Sequence, residues 1–273
     1  MTLHEELNKI PITSNNANTK FFTIDQSNQQ NIFINFFNNF TKENKSIISD
    51  IFYGASHTLT RCSGCPQFKH NFETFFFLIF PLEEVRKFKL QELNSMNPMM
   101  NMNPMMINMI MNQNLKIQLL NQNKVHINDC FDYNRKAERF FGENAMYCNN
   151  CKRQMNSTYQ TFLYYAPEIL ILVLNRGTGI QFKISLEFYE QLDIRNYFEG
   201  SNTTGGIYDL IGVVTHIGES GASGHFIAAC KSPIDNRWYK YNDDLVFPVQ
   251  NFKTEILDYA MPYILFYQKK GLI

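Results

Sequence analysis

Apolar residues at 32, 33, 36, 37 and 40 give residues 28–40 the spacing of an amphipathic helix with one buried stripe. Residues 46–52 read as a short second segment that stops at Gly54, and the first twenty residues carry too little periodicity for anything but a loose lead-in. Residues 71–80 read as one strand ending at Pro81, with the apolar run 75–80 as its buried part. A polar segment of helical character leads from 132 to Tyr147, and residues 154–162 then alternate as a strand does. The near-continuous apolar run of 168–176 predicts a central strand covered on both faces. Further strands are expected at 180–188, 208–216, 226–230, 238–241 and 263–267, with a short helix at 253–258.

One stretch breaks this patterning. Residues 94–114 hold eight of the twelve Met among Asn and two Pro. Pro98 and Pro104 argue against a continuous Met-rich helix, so the segment reads as an inserted disordered loop.

Composition narrows the class. The chain has 273 residues, is 44% hydrophobic and 15% aromatic, and suits a strand-rich globular protein with a real core. Its 25 basic and 25 acidic residues cancel, which supplies neither a footprint for nucleic acid nor a polybasic membrane patch. The amino terminus lacks the layout of a signal peptide, and the run 75–80 is far too short to span a bilayer. A soluble protein of the cytoplasm, the nucleus or both is the expectation, with no nucleic-acid and no membrane partner.

Four of the six cysteines form two C-x-x-C pairs, Cys62 with Cys65 and Cys148 with Cys151, separated by 82 residues. In a reducing compartment such pairs serve as metal ligands more readily than as disulfides. Each closes a tight turn, helped at the first by Gly64, and two such turns complete a tetrahedral four-cysteine site for one structural Zn2+ with no open position. The alternative is four unrelated core thiols. The 82-residue gap is unlike a compact nucleic-acid-binding zinc ribbon.

Residues 223–246 hold the other candidate chemistry. Gly224-His225 runs into an apolar strand, and after a polar turn the aromatic strand from Trp238 ends on Asn242, Asp243 and Asp244. Two such strands joined by a short loop can place a His at the start of one beside an Asn or Asp at the end of the other. That arrangement suits a catalytic imidazole and its orienting partner, as well as a half-buried hairpin with a capped end.

Taken together, these blocks resemble the ubiquitin-specific protease family of cysteine deubiquitinases across roughly residues 28–267. The resemblance is carried by the helix 28–40, the segment leading into the first knuckle, Asp129-Cys130-Phe131 with Tyr147–Cys151, and the strand 167–176. Its most specific part is Tyr208-Asp-Leu-Ile-Gly-Val-Val-Thr-His216-Ile-Gly218, followed by Gly224-His225-Phe226 and by Trp238-Tyr-Lys-Tyr241-Asn242-Asp243. It implies an α+β, papain-like cysteine protease core with palm, fingers and a partial thumb, and a four-cysteine zinc ribbon in the fingers. In one domain, residues 1–60 would be the partial thumb, 61–159 the zinc-pinned fingers with the Met/Asn-rich insertion, and 160–273 the palm.

The resemblance makes His225 the general base, Asn242 the residue that holds the imidazole by its Nδ1–H, and Asp243 an adjacent, assisting carboxylate. His216 is a rival base in a position that is structural in the family, and Cys230 is expected to face the core or a sheet partner. Three departures stand beside these matches. The family's cysteine box, which brings the nucleophile and an oxyanion-hole side chain, is not found in the 273 residues. Asn28 and Asn31 stand where acids that face the ubiquitin tail are expected, Asp25 lies one turn too early to replace them, and Arg176-Gly177 replaces an Arg-Phe pair. The implied function is thiol-dependent hydrolysis of ubiquitin isopeptide bonds, with this chain inactive by itself. The alternative is a catalytically dead ubiquitin-binding or scaffold module.

Overall fold

The computed structural model describes residues 22–23, 29–96, 124–177, 183–199, 205–220, 223–258 and 261–271. Two antiparallel-rich sheets dominate. The smaller has the order β1–β3–β2–β9–β6, built from β1 (Phe22–Thr23), β2 (Gly54–Cys62), β3 (Phe68–Phe75), β6 (Glu138–Phe140) and β9 (Ser157–Tyr165). The larger runs β16–β15–β14–β13–β17–β10–β4, with β12 also paired to β13. Its strands are β4 (Leu78–Pro81), β10 (Ile169–Asn175), β12 (Gln191–Asp193), β13 (Ile207–Ser220), β14 (Ser223–Lys231), β15 (Trp238–Asn242), β16 (Leu245–Pro248) and β17 (Pro262–Lys269). Two short pairs complete the strands: β5 (Lys124–His126) with β11 (Ser185–Glu187), and β7 (Met146–Cys148) with β8 (Arg153–Met155).

Helix α1 (Gln29–Glu43) carries the expected stripe, but at half depth: Ile32, Phe33, Phe36, Phe37 and Phe40 are partly covered and no residue of the helix is fully buried. The stripe lies on an aromatic surface, with ring centroids 4.5 Å apart for Phe33 and Tyr164, 4.7 Å for Phe37 and Tyr165, and 5.0 Å for Phe40 and Tyr53. Helix α2 (Ile47–Phe52) starts at Ser46, whose side chain accepts from the Ser49 N–H while the Ser49 hydroxyl accepts from the Ser46 N–H. That reciprocal cap satisfies two end donors of a helix too short to persist alone.

The single strand expected over 71–80 is two strands in different sheets. The chain leaves the smaller sheet after Phe75 and enters the larger one at Leu78, where β4 pairs in parallel with β10. Only Phe80 of the apolar run is deeply buried, and Ile79 is 54% exposed. An edge strand covers one face, so every second apolar residue points outward. Pro81 closes β4, and helix α3 (Leu82–Met96) follows with Glu83 and Glu84 in its first turn, bonded to Arg86 and Lys87. Sheet membership therefore does not follow chain order, since the 61–159 stretch contributes β4 to the larger sheet.

Helix α4 (Ile127–Arg135) packs against α3, tied by the Lys89–Asp129 ion pair at 3.0 Å. The segment after it is not the expected helix: it forms β6, one 3-10 turn and β7. The predicted strand 180–188 is described only as β11, and the helix expected at 253–258 is a single π-type turn, Lys253–Leu257. The predicted Met/Asn-rich loop falls almost wholly on 97–123, outside the described residues, as do the lead-in through residue 20, Asp25 and Asn28.

The core joins the larger sheet to helices α3 and α4, with Phe80, Leu82, Val85, Phe131, Leu170, Leu172, Leu174 and Leu265 all buried. As its apolar run predicts, β10 sits between β17 and β4 with Leu170, Ile171 and Leu172 consecutively buried. Among the described residues, no helix is long and apolar enough to cross a membrane.

Candidate active site and metal centre

Strand β14 pairs with β13 on one side and β15 on the other, so His225 lies on an inner strand. Ala228 faces Tyr241, which places Asn242 opposite Ile227 and makes His225 its diagonal neighbour on the same face. The side chains meet there, with His225 Nε2 2.5 Å from Asn242 Oδ1. It is Nε2, not the expected Nδ1, that meets the amide. The ring is 44% exposed, and a half-turn about Cβ–Cγ exchanges the edges that carry the two nitrogens. Asp243 Oδ2 lies 3.8 Å from the same nitrogen on a side chain 78% exposed. Asp243 opens the two-residue turn between β15 and β16 and takes a φ of 52°, which a short polar side chain tolerates.

His216 belongs to the opposite face. It is the cross-strand partner of Phe226 and packs perpendicular to that ring at 4.8 Å, whereas His225 pairs with Ile217. Gly224 is required by this packing, because a Cβ there would lie 2.2 Å from His216 Cε1 and 2.3 Å from Nε2. The buried His216 therefore supports the backbone under His225 and does not share its face.

Glu255 is a residue that sequence reasoning passed over. Its carboxylate accepts from Lys240 Nζ at 2.9 Å and from the backbone N–H groups of Gln250 at 2.9 Å and Asn251 at 2.8 Å. The Lys240 bond foremost, then the two amides, hold its pKa at about 2. This clamps β15, two residues before Asn242, to the chain beyond β16. No local pattern announces a bond between residues 240 and 255.

The six thiols divide cleanly. Cys130 is buried in α4, and burial raises its pKa well above that of a free thiol. Cys230 is exposed, contrary to expectation, because Ala229 takes the inward position and strand alternation turns its neighbour outward. It stands five residues along β14 from His225, on the other face and roughly 16 Å away at about 3.3 Å per residue.

Cys62, Cys65, Cys148 and Cys151 converge, with all four sulfurs within 4.8 Å of one another. Cys62 ends β2, Cys148 ends β7, and each pair bends through a tight turn. The Sγ separations are 3.9 Å for Cys62 and Cys151 and 3.7 Å for Cys65 and Cys148. A tetrahedral ion with sulfurs at about 2.3 Å requires edges of about 3.8 Å, whereas a disulfide requires about 2 Å. The Gly64 N–H donates to Cys62 Sγ at 3.3 Å and the Cys151 N–H to Cys148 Sγ at 3.5 Å. The latter bond foremost lowers the Cys148 pKa to about 6, toward the thiolate a metal needs. Loss of solvent foremost pushes Cys151 up to about 12 and raises Cys62, so the geometry of the four sulfurs carries the site.

Comparison with known proteins settles the family. The family model described as ubiquitin carboxyl-terminal hydrolase matches residues 1–267. The chain belongs to that family. Ubiquitin carboxyl-terminal hydrolase 48 of Rattus norvegicus is 31% identical over 148 residues, covering 52% of this chain and 14% of that protein. Ubiquitin carboxyl-terminal hydrolase 17-like protein E of Mus musculus is 34% identical over 137 residues, covering 48% and 24%. Among solved structures, a chain of the yeast SAGA DUB module superposes with a TM-score of 0.58 at 22% identity, over 87% of this chain and 45% of the other. A chain of the SAGA DUB module bound to monoubiquitin gives 0.56 at 21%, over 91% and 49%. The chain thus spans about half of those solved chains and a smaller part of the curated relatives, and it shares the mixed helix-and-sheet fold of the former.

Proposed function

We propose that this chain is the base-bearing and zinc-bearing portion of a thiol-dependent deubiquitinase, acting on isopeptide bonds between the ubiquitin carboxyl terminus and a lysine. The observation that carries the reading is the meeting of His225 and Asn242 across β14 and β15. His225 takes the proton of a cysteine nucleophile and later returns one to the departing lysine amine, Asn242 orients the ring, and Asp243 assists from the turn. A neutral amide suits the orienting role because a thiolate–imidazolium pair already balances its own charge. Zn2+ at the four cysteines fastens two distant segments and leaves no open position for chemistry. Ubiquitin or a ubiquitinated protein is the partner.

Cys130 is buried in α4, Cys230 turns to the other face of β14 and the remaining four cysteines cluster together, which supports the reading that the chain alone does not turn over. Incubation with ubiquitin–aminomethylcoumarin tests this. No release is expected, and release that His225→Ala abolishes would show that a nucleophile is present after all. A second reading, a ubiquitin-binding module without catalysis, is favoured by Asn31 on α1, where an acid is expected to face the ubiquitin tail. Titration with ubiquitin separates the two: tight binding together with a His225→Ala variant of unchanged affinity and no gain of activity on supplying a cysteine-bearing segment would favour the module.

A further inference from the structure

A second histidine constellation lies away from this site, on the face of the smaller sheet that α1 covers. His57 on β2 and His70 on β3 are both buried, with rings stacked at 5.0 Å and 11°. His57 Nδ1 meets Glu199 Oε2 in a short contact, and His57 Nε2 lies 2.9 Å from His70 Nδ1. Gln29 Nε2, at the first turn of α1, donates to the same Glu199 oxygen at 3.0 Å. Glu199 follows the 3-10 turn Arg195–Tyr197, and its N–H bonds Leu163 O of β9 at 2.9 Å. Four chain segments therefore converge on one carboxylate and two imidazoles: α1, β2, β3 and the strap that leaves β12.

The donor count fixes the protons. With Glu199 ionised, His57 Nδ1 must donate to it, His57 Nε2 must then accept in the neutral ring, and His70 Nδ1 must donate to His57. His70 Nε2 is left as a bare acceptor, buried and without a partner among the described residues. Phe72 and Tyr164 pack against the His57 ring, and a proton added at His70 Nε2 would make a charged donor of a buried atom.

We propose that Glu199, His57 and His70 form an acid-labile latch that holds α1 and the 195–199 strap on the smaller sheet and releases them when His70 takes a second proton. Among the described residues, the groups facing the pair are Glu199 from the strap, Tyr164 from β9 and the uncharged Gln29 from α1. Burial foremost, and the neighbouring His57 next, lower the His70 pKa, while the Glu199 charge raises it and does not prevail. A histidine depressed in the folded state contributes stability that is complete above its unfolded value of about 6.5 and is lost as pH falls from there toward the folded value. The loss is at most about tenfold in the opening equilibrium per pH unit for one proton.

The test is amide exchange of the protein as a function of pH, corrected for intrinsic rates, read on α1 and on β13 as an internal control. The latch predicts that α1 protection falls several-fold between pH 7 and pH 5.5 while β13 keeps its own. His70→Asn retains a donor toward His57 and cannot titrate, so its α1 protection should be flat over that range. Equal acid loss in His70→Asn and the unaltered protein, or no loss in the latter, would overturn the proposal. Should His70→Asn not fold, the His70 Cε1 proton titration in the unaltered protein decides. A midpoint below about 6.5 that coincides with α1 release supports the latch, and one at or above it overturns it.

Discussion

The four-cysteine cluster and the His225–Asn242 pair each bring together side chains from separate strands, yet the first closes on itself and the second lies open. Four thiols separated by as many as 89 residues reach tetrahedral spacing with no group from elsewhere. His225 and Asn242 meet on an exposed face, across two neighbouring strands of the larger sheet. The difference follows from coordination. A closed metal site has a fixed ligand number that two turns can satisfy, whereas an acid–base pair acts on a third group and has to leave an open side.

The largest test opens the four-cysteine cluster. Cys148→Ser, or a strong chelator, should take bound zinc from one per chain to near none and strip amide protection from β7 and β8 while β13 to β15 keep theirs. Metal content that stays near one after the substitution would break the contrast. Within β4, Phe80→Ala should cost about 3–5 kcal/mol in denaturant unfolding, since it opens a cavity in the core. Ile79→Ala, one residue away on the outer face, should cost less than about 1 kcal/mol. Similar values for the two would contradict the edge placement of this strand.

Beside His225, Gly224→Ala forces a Cβ onto the His216 ring and to 2.5 Å from the Ile217 carbonyl oxygen, and should cost about 1–3 kcal/mol, as overpacking does. Adding His216→Ala should recover part of that loss, and a strictly additive double variant would argue against the wedge. The smallest effect is expected at Glu255, whose pKa of about 2 lies below the ordinary value of about 4.3. Its contribution is present above pH of about 4.3 and disappears as pH falls toward 2. Melting curves of Glu255→Gln and the unaltered protein should therefore converge at the acid end of that range, and a gap that persists there would reject the clamp.

Local pattern carried as far as local physics reaches. The stripe of α1, the apolar run of β10, the two C-x-x-C turns and the Gly-His start of β14 were legible because each is set by a few neighbouring residues. The run 75–80 misled for the same reason. Periodicity scores apolar residues, but it contains no term for a chain that changes sheets between Phe75 and Leu78. The depth of the α1 stripe was equally invisible, since it depends on what lies opposite: the aromatic surface of Tyr164, Tyr165 and Tyr53.

The amino-acid sequence by itself determined the four cysteines that could hold a metal ion, the strand that carries His225 and the membership of a hydrolase family. Only the tertiary structure decided which ring nitrogen meets Asn242, that His216 turns to the opposite face, that Cys230 points outward, and that Glu255 and the His57–His70–Glu199 cluster exist as units. The reason is geometric. A side chain's direction is set by strand alternation once the register is known, and register between strands far apart in sequence is a property of the packed sheets.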